Sequence, residues 1–226
     1  MFEHLKTEQL FDITQTIAKE LFQNLEYPWQ ALSKIGDFIM QIGPNLPEEK
    51  YNKIGKNIWI AKNAVVAPSA SLTGPLIICE KAEIRHCAYI RGNAIIGDST
   101  VVGNSTEVKT SILFNNVQAP HYNYIGDSIL GYKSHTGAGA ITSNLKSDKM
   151  KITINVAGDK IDTGLKKLGA IIGDNTEVGC NSVLNPGTII GKNSIVYPLS
   201  MVRGFVPKNS IYKNSGDVVD RRAINN

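Results

Sequence analysis

The chain has 226 residues, with 24 Lys and Arg against 20 Asp and Glu for a formal net charge of +4. That excess is mild and diffuse, which argues against a nucleic-acid footprint, and the length suits one domain with appendages. No run approaches about 18 apolar residues, MFEHLKTEQLFD lacks a signal-peptide core, and Cys79, Cys87 and Cys180 lack metal-ligand spacing, so the expectation is a cytoplasmic protein with reduced thiols and no membrane partner.

Residues 1–50 read as a helical hairpin. Thr7 suits the N-cap of a helix with Leu10, Phe11, Ile13, Ile17, Leu21 and Phe22 on one broad face. Pro28 suits the first turn of a second helix, which buries Trp29, Leu32, Ile35, Phe38 and Ile39 before Gly43 and Pro44 stop it. Two amphipathic helices ahead of a repeat imply an N-terminal cap over its first coil, because an open sheet end invites unwanted pairing.

From Tyr51 to Lys109 an aliphatic residue recurs at every sixth position: Ile54, Ile60, Val66, Leu72, Ile78, Ile84, Ile90, Ile96, Val102 and Val108. Four places after each stands a second apolar or small residue, as at Ala64, Ala82, Ala94 and Thr100. Six is neither the helical nor the strand period. Three short strands per coil, joined by tight corners, do produce it, and the reading is an all-β solenoid, a parallel β-helix of hexapeptide repeats. The rhythm breaks in LFNNVQAPHYNYIGD, where residues 113–124 are expected to form an inserted loop, and resumes at Ile125, Leu130 and Thr136. A second insertion covers 146–170; its alternating Ile152, Ile154 and Val156, followed by a turn at Gly158-Asp159, predict a β-hairpin leaving the solenoid. The repeat returns at Ile172, Val178, Leu184, Ile190, Val196 and Val202. The solenoid is therefore placed at 51–207, and the polar tail 208–226 is expected to be loose or laid on a neighbouring subunit.

Chemistry is sought where the repeat is interrupted, since loops leaving a rigid scaffold are where sites are built. Of His4, His86, His121 and His135, His121 falls in the first break, beside Pro120, and histidine is the natural base near neutral pH. Arg91 and Lys109 each follow an inward aliphatic and lie eighteen residues apart, one whole coil, which stacks them on one edge as a seat for phosphate. The small residues of Thr136–Leu145 would let backbone N–H groups approach an oxyanion or a pyrophosphate, with Asn144, Lys149 and Lys151 beside them. No metal is expected: a zinc site needs clustered ligands, and His86, His121 and His135 are far apart in the chain.

GNSTEVK (103–109), APHYNYIGDSILG (119–131) and GAGAITSNL (137–145), with KLGAIIGD (167–174) after the hairpin, carry a resemblance. They resemble the acetyltransferase half of the bifunctional glucosamine-1-phosphate acetyltransferase/N-acetylglucosamine-1-phosphate uridylyltransferase family. The match is closer to the C-terminal half of related sugar-1-phosphate nucleotidylyltransferase–acetyltransferases. The likeness implies a left-handed β-helix, against the usual right-handed crossover, and a homotrimer with sites at subunit boundaries. It implies transfer of acetyl from acetyl-CoA to the amine of an amino-sugar 1-phosphate, glucosamine-1-phosphate or galactosamine-1-phosphate, in the service of UDP-N-acetylglucosamine-type nucleotide sugars. His121 would be the general base and Asn144 would orient the amine. Arg91, Lys109 and Tyr124 would contact the sugar phosphate, with Glu107 near the histidine and Lys149 or Lys151 as the loop's phosphate ligand. Backbone at Ala138 and Gly139 would meet the cofactor. His135 and Ala140 stand where the family has Asn and Thr. The family's nucleotidyltransferase glycine-rich loop is not in this sequence, so pyrophosphorylase activity is not expected. Two alternatives stay open: a non-catalytic nucleotide-sugar-binding or regulatory partner of a separate nucleotidyltransferase, and an N-acyltransferase acting on a nucleotide-linked amino sugar.

Overall fold

The computed structural model describes residues 2–156 and 158–221. The period of six has a backbone cause: from Lys81 onward a residue in the left-handed conformation recurs at the corners. Lys81, Cys87, Asn93, Ser99 and Ser105, six apart, have φ between 49° and 57°. A single residue of this kind lets two extended stretches meet at a tight corner.

The corners divide each coil into three parallel strands, and the strands stack into three faces. One face holds Ile58–Ala61, Leu76–Ile78, the later halves of Tyr89–Ile96 and Glu107–Leu113, then Ile129–Leu130, Ala170–Ile172, Thr188–Ile190 and Phe205–Val206. A second holds Ser71–Thr73, the earlier halves of the same two long strands, Tyr124–Gly126, Ile141–Thr142, Val183–Leu184 and Met201–Val202. The third runs from Val65–Val66 through Glu83–Ile84, Val101–Asn104, Gln118–His121, His135–Thr136, Glu177–Val178 and Ile195–Val196 to Ser210–Tyr212. This is the expected β-solenoid, and its hexapeptide repeats fit a left-handed β-helix.

Inside, Ile78, Ile84, Ile90, Ile96, Val102 and Val108 are fully buried, as are Ile172 and Val202. Each such side chain contributes about 1.5–3 kcal/mol of burial, most of it opposed by chain ordering. The small residues four places on serve a second purpose where they are hydroxylic. Thr100 Oγ1 donates to the Phe114 carbonyl at 2.7 Å and Ser194 Oγ to that of Pro207 at 2.8 Å, tying one coil to the next. Ile54 departs from the pattern. It is half exposed because it follows Tyr51–Lys53, a strand that runs antiparallel along Ile58–Ala61 before the first full coil begins.

The N-terminal segment differs from the expected pair of helices. The first breaks into short turns at Thr7–Leu10, Ile13–Gln15 and Lys19–Phe22, and the second is a 3-10 stretch, Pro28–Lys34, leading into the helix Ile35–Ile42. The segment covers a flank of the solenoid from end to end. His4 stacks on Phe205 at 6.2 Å; Asp12 N–H donates to Asp174 Oδ2 at 2.6 Å; Asn115 N–H donates to the Gln15 carbonyl at 2.9 Å. Phe11 and Phe22 pack on Phe114, at 5.0 and 5.7 Å between rings. Helix Ile35–Ile42 lies on the strand Tyr89–Ile96, and Gly43 sits so close to the Trp59 indole that a Cβ would stand 2.7 Å from its carbons. The strap thus descends from the last coil to the first. Its physical reason is the first face itself: Leu76–Ile78, Ala94–Ile96, Ala170–Ile172 and Thr188–Ile190 are buried at every residue, inward and outward, as strands covered on both sides must be.

Antiparallel strands close both ends, Tyr51–Lys53 at the first coil and Val218–Asp220 against Ser210–Tyr212 at the last. The described part of the expected tail is therefore built into the sheet; residues 222–226 lie outside the described residues. The hairpin is where the sequence placed it, with Thr153–Val156 antiparallel to Asp159–Asp162. Among the described residues, no helix is long and apolar enough to cross a membrane.

Candidate active site

The stretch 113–124 forms no inserted loop. Gln118–His121 is a strand in register with Val101–Asn104. The corner residues after Ser105 fall at Thr110, Asn116, Tyr122, Asp127 and Lys133, so the interval is five rather than six at Thr110 and again at Asp127. Each shortening removes one residue from a coil. Arg91 pairs with Lys109 at a stride of eighteen, but Lys109 pairs with Gly126 at seventeen. The rhythm that looked broken in the sequence is the same rhythm with two residues missing.

On the second face this places a connected polar cluster. Arg91 and Lys109 are neighbours on adjacent strands, as their spacing predicted. Arg91 Nε donates to Glu107 Oε1 at 2.7 Å, and its guanidinium lies 5.8 Å from the centre of the Tyr89 ring. Lys109 Nζ donates to Asp127 Oδ2 at 3.4 Å. Asn144 Nδ2 bridges the same Asp127 oxygen and the Tyr124 hydroxyl, the latter at 3.2 Å. Tyr124 follows Glu107 in register, one strand on. Burial, then the charges of Glu107 and Asp127, hold the Tyr124 phenol above its ordinary value, while the Glu107 carboxylate strengthens the proton affinity of Arg91.

Asp127 is the residue the sequence reading missed. It is 7% exposed, turns the shortened corner at φ 48°, and holds Lys109 and Asn144 together. Its carbonyl also accepts from Gly169 N–H at 2.8 Å, which fastens the return of the hairpin insertion to the cluster. A signal existed, for Asp127 lies eighteen residues after Lys109, the spacing that drew attention to Arg91; the shortened coil moves it from the strand to the corner.

His121 lies outside this cluster. It ends its strand on the third face, paired with Asn104, and is separated from Tyr124 by the corner at Tyr122. Its backbone is fixed, N–H to Asn123 Oδ1 at 3.3 Å and carbonyl to Gly139 N–H at 3.1 Å. Its side chain is exposed, and among the described residues no hydrogen bond reaches the ring. The glycine-rich run is less open than expected. The amides of Gly137, Gly139, Ala140, Ile141 and Ser143 donate within the coil or to its neighbours; that of Ala138 makes no such bond among the described residues, although its carbonyl accepts from Asn181. Lys149 and Lys151 are exposed in the loop before the hairpin, and among the described residues neither makes an ion pair or hydrogen bond with the cluster. His135 pairs instead with Glu177 at 2.8 Å. No group of three His, Cys, Asp or Glu side chains gathers as metal ligands among the described residues.

Residues 72–165 match the family model described as the GMPPB C-terminal domain, and residues 169–204 match the bacterial transferase hexapeptide model of six repeats. The bifunctional protein GlmU of Methanococcus vannielii is 36% identical over 198 residues, 86% of this chain and 48% of that protein. The bifunctional sugar-1-phosphate nucleotidylyltransferase/acetyltransferase of Sulfurisphaera tokodaii is 35% identical over 188 residues, 72% of this chain and 47% of that one. The chain thus spans about half the length of the curated relatives it matches. Among solved structures, the acetyltransferase domain of PglB from Neisseria gonorrhoeae overlaps 80% of this chain and 65% of its own at 15% identity, with a TM-score of 0.32.

Proposed function

We propose, for a chain that carries a hexapeptide-repeat domain and is homologous over 86% of its length to the C-terminal half of GlmU-type bifunctional proteins, an N-acetyltransferase acting on an amino-sugar 1-phosphate. The observation that carries the reading is the cluster of Arg91, Glu107, Lys109, Tyr124, Asp127 and Asn144 on one face. It offers two cations for a phosphate and a carboxamide for an amine, each already held by an internal partner. Preorganised groups of this kind lose little freedom when a substrate arrives.

In the proposed reaction Arg91 and Lys109 seat the sugar phosphate, with Tyr124 against it. Asn144, held by Asp127, orients the amine toward the acetyl-CoA carbonyl. The amine nitrogen attacks, the carbonyl oxygen takes negative charge, and the amide of Ala138 donates to it. His121 takes the proton that the nitrogen sheds, the C–S bond breaks, and the thiolate of coenzyme A leaves to be protonated. A ring with no hydrogen-bond partner among the described residues suits this base, since none of them must release it before it acts. The positions of His121 and Asn144 on different faces suit a homotrimer in which the base of one subunit serves the phosphate seat of its neighbour.

The test is release of coenzyme A thiol from acetyl-CoA with glucosamine-1-phosphate, galactosamine-1-phosphate and UDP-linked amino sugars as acceptors. Thiol release with an amino-sugar 1-phosphate is expected. Release with none of the acceptors would overturn the reading, and release with only the UDP-linked sugars would move it to a nucleotide-linked acceptor.

A further inference from the structure

A second group of chemically active side chains stands outside the polar cluster, at the corner where the chain passes from the third face to the second. Ser69 and Cys87 lie eighteen residues apart, one whole coil, and occupy equivalent places on that corner. Cys87 turns it at φ 56°, and His86 precedes it. Ser69, His86 and Cys87 are all exposed. His86 Nδ1 lies 2.7 Å from Ser69 Oγ, and its Nε2 lies 3.2 Å from Cys87 Sγ. The Cys87 N–H donates to the same Ser69 Oγ at 3.1 Å, which ties the sulfur, the ring and the hydroxyl into one unit. From the next coil Asn104 Nδ2 donates to the His86 carbonyl at 3.1 Å and steadies the backbone under the ring. The charged neighbours in the chain are occupied with each other: Arg85 Nε and Nη2 donate to the Glu83 carboxylate, each at 3.0 Å. Cys180, the other exposed thiol, has no hydrogen bond at its sulfur among the described residues.

The arrangement serves proton transfer. A hydroxyl carries one proton and two lone pairs, so Ser69 Oγ donates to a bare Nδ1 or accepts from Nδ1–H while still accepting from the Cys87 amide. Both protonation states of the ring are served. Once Nε2 holds the thiol proton, the imidazolium has an acceptor at each nitrogen, the Ser69 oxygen and the Cys87 sulfur. A nucleophile, a base within reach of its proton and a third group that orients the base are the parts of an activated nucleophile, and the reacting form of cysteine is the thiolate. Exchange with a disulfide asks for a proton acceptor at the thiol and open access to its sulfur. Cys87 has both, whereas Cys180 has only the access. We propose that Cys87 is a modification site for low-molecular-weight disulfides, with His86 as its proton acceptor and Ser69 holding the ring. In the step, Cys87 Sγ gives its proton to His86 Nε2 and attacks one sulfur of the disulfide. The new S–S bond forms, the old one breaks, and the leaving thiolate takes the proton back from His86. One mixed disulfide and one free thiol result. The assignment does not depend on acetyl transfer.

Incubating the reduced full chain with glutathione disulfide, and following each cysteine by peptide mass mapping over time, tests it. Cys87 should gain the glutathionyl group at least about tenfold faster than Cys180. His86→Gln should slow Cys87 at least about tenfold while leaving Cys180 within about twofold, which separates the base from mere exposure. Ser69→Ala, which frees the ring without removing it, should slow Cys87 by about threefold or more. Both variants should melt with the unaltered chain, and should His86→Gln fold poorly, Ser69→Ala reads the same unit. Equal rates at Cys87 and Cys180, or a Cys87 rate untouched by either substitution, would each overturn the proposal.

Discussion

The coils up to Val108 and the stretch from Thr110 to Gly169 are made of the same strands and teach different things. In the first, the left-handed corners from Lys81 to Ser105 fall every six residues and the strands stack at a constant stride of eighteen. In the second, two corners are one residue short and a hairpin leaves the stack, and here Lys109, Tyr124, Asp127 and Asn144 join. Regular repetition produces a stiff rod with no preferred place on it. Removing single residues from a coil slides side chains out of their columns, and that is how Asp127 comes to lie across from both Lys109 and Asn144.

Mutations should separate the two regions. The largest effect is expected at His121: its change to Ala should lower turnover about 10²–10⁴-fold while leaving the melting temperature in place, and unchanged turnover would remove the base assignment. In the regular coils the pattern reverses. Ile90 is fully buried, so Ile90→Ala should cost about 2–5 kcal/mol of unfolding free energy by denaturant titration; a cost well below that range would mean the interior can collapse around the gap. Asp127→Ala should fall between, with about 1–3 kcal/mol lost because Lys109 and Asn144 lose a shared acceptor, together with weaker sugar-phosphate binding. If binding holds while stability drops, Asp127 serves only the fold.

Thiol reactivity sharpens the contrast at lower stakes. Cys79 is buried in the regular stack and burial pushes its thiol up to about 12, whereas Cys87 and Cys180 are exposed. A thiol reagent should therefore modify two cysteines per native chain, and a third only on unfolding; three fast reactions would contradict the packing. The smallest effect concerns Tyr124. Its folded-state pKa lies above the ordinary phenol value, so the folded form holds this proton more tightly than the unfolded form. Any stability that follows is present below pH of about 10 and lost as pH rises through the folded value. An ultraviolet difference titration of the native chain against Tyr124→Phe should place the missing phenol above that pH, and an ordinary midpoint would show Tyr124 to be solvated.

Much of this was legible in the residues. The aliphatic at every sixth place specified the inward row, the stride of eighteen found Arg91 above Lys109, and the alternation around Ile154 found the hairpin. The N-terminal strap was misplaced because its apolar spacing says only that it is buried, not against what. The clue lay elsewhere, in the unbroken aliphatic triplets Leu76–Ile78 and Ala170–Ile172, which report a face with no solvent on either side. Asp127 was passed over because its importance depends on the length of the coil before it, which no single position reveals. His121 was read as part of a loop because Pro120 and Tyr122 hide a strand that has merely lost a residue upstream.

A stack whose members touch only adjacent members can fray from either extremity, one layer at a time. The strap alters that topology: His4 rests on Phe205 and Gly43 on Trp59, so the two extremities belong to one clasped object. Peeling the terminal layer means first unfastening a segment that also grips the opposite end. Heat should therefore meet a single sharp collapse in the intact chain, and a gradual unzipping once the clasp is cut away.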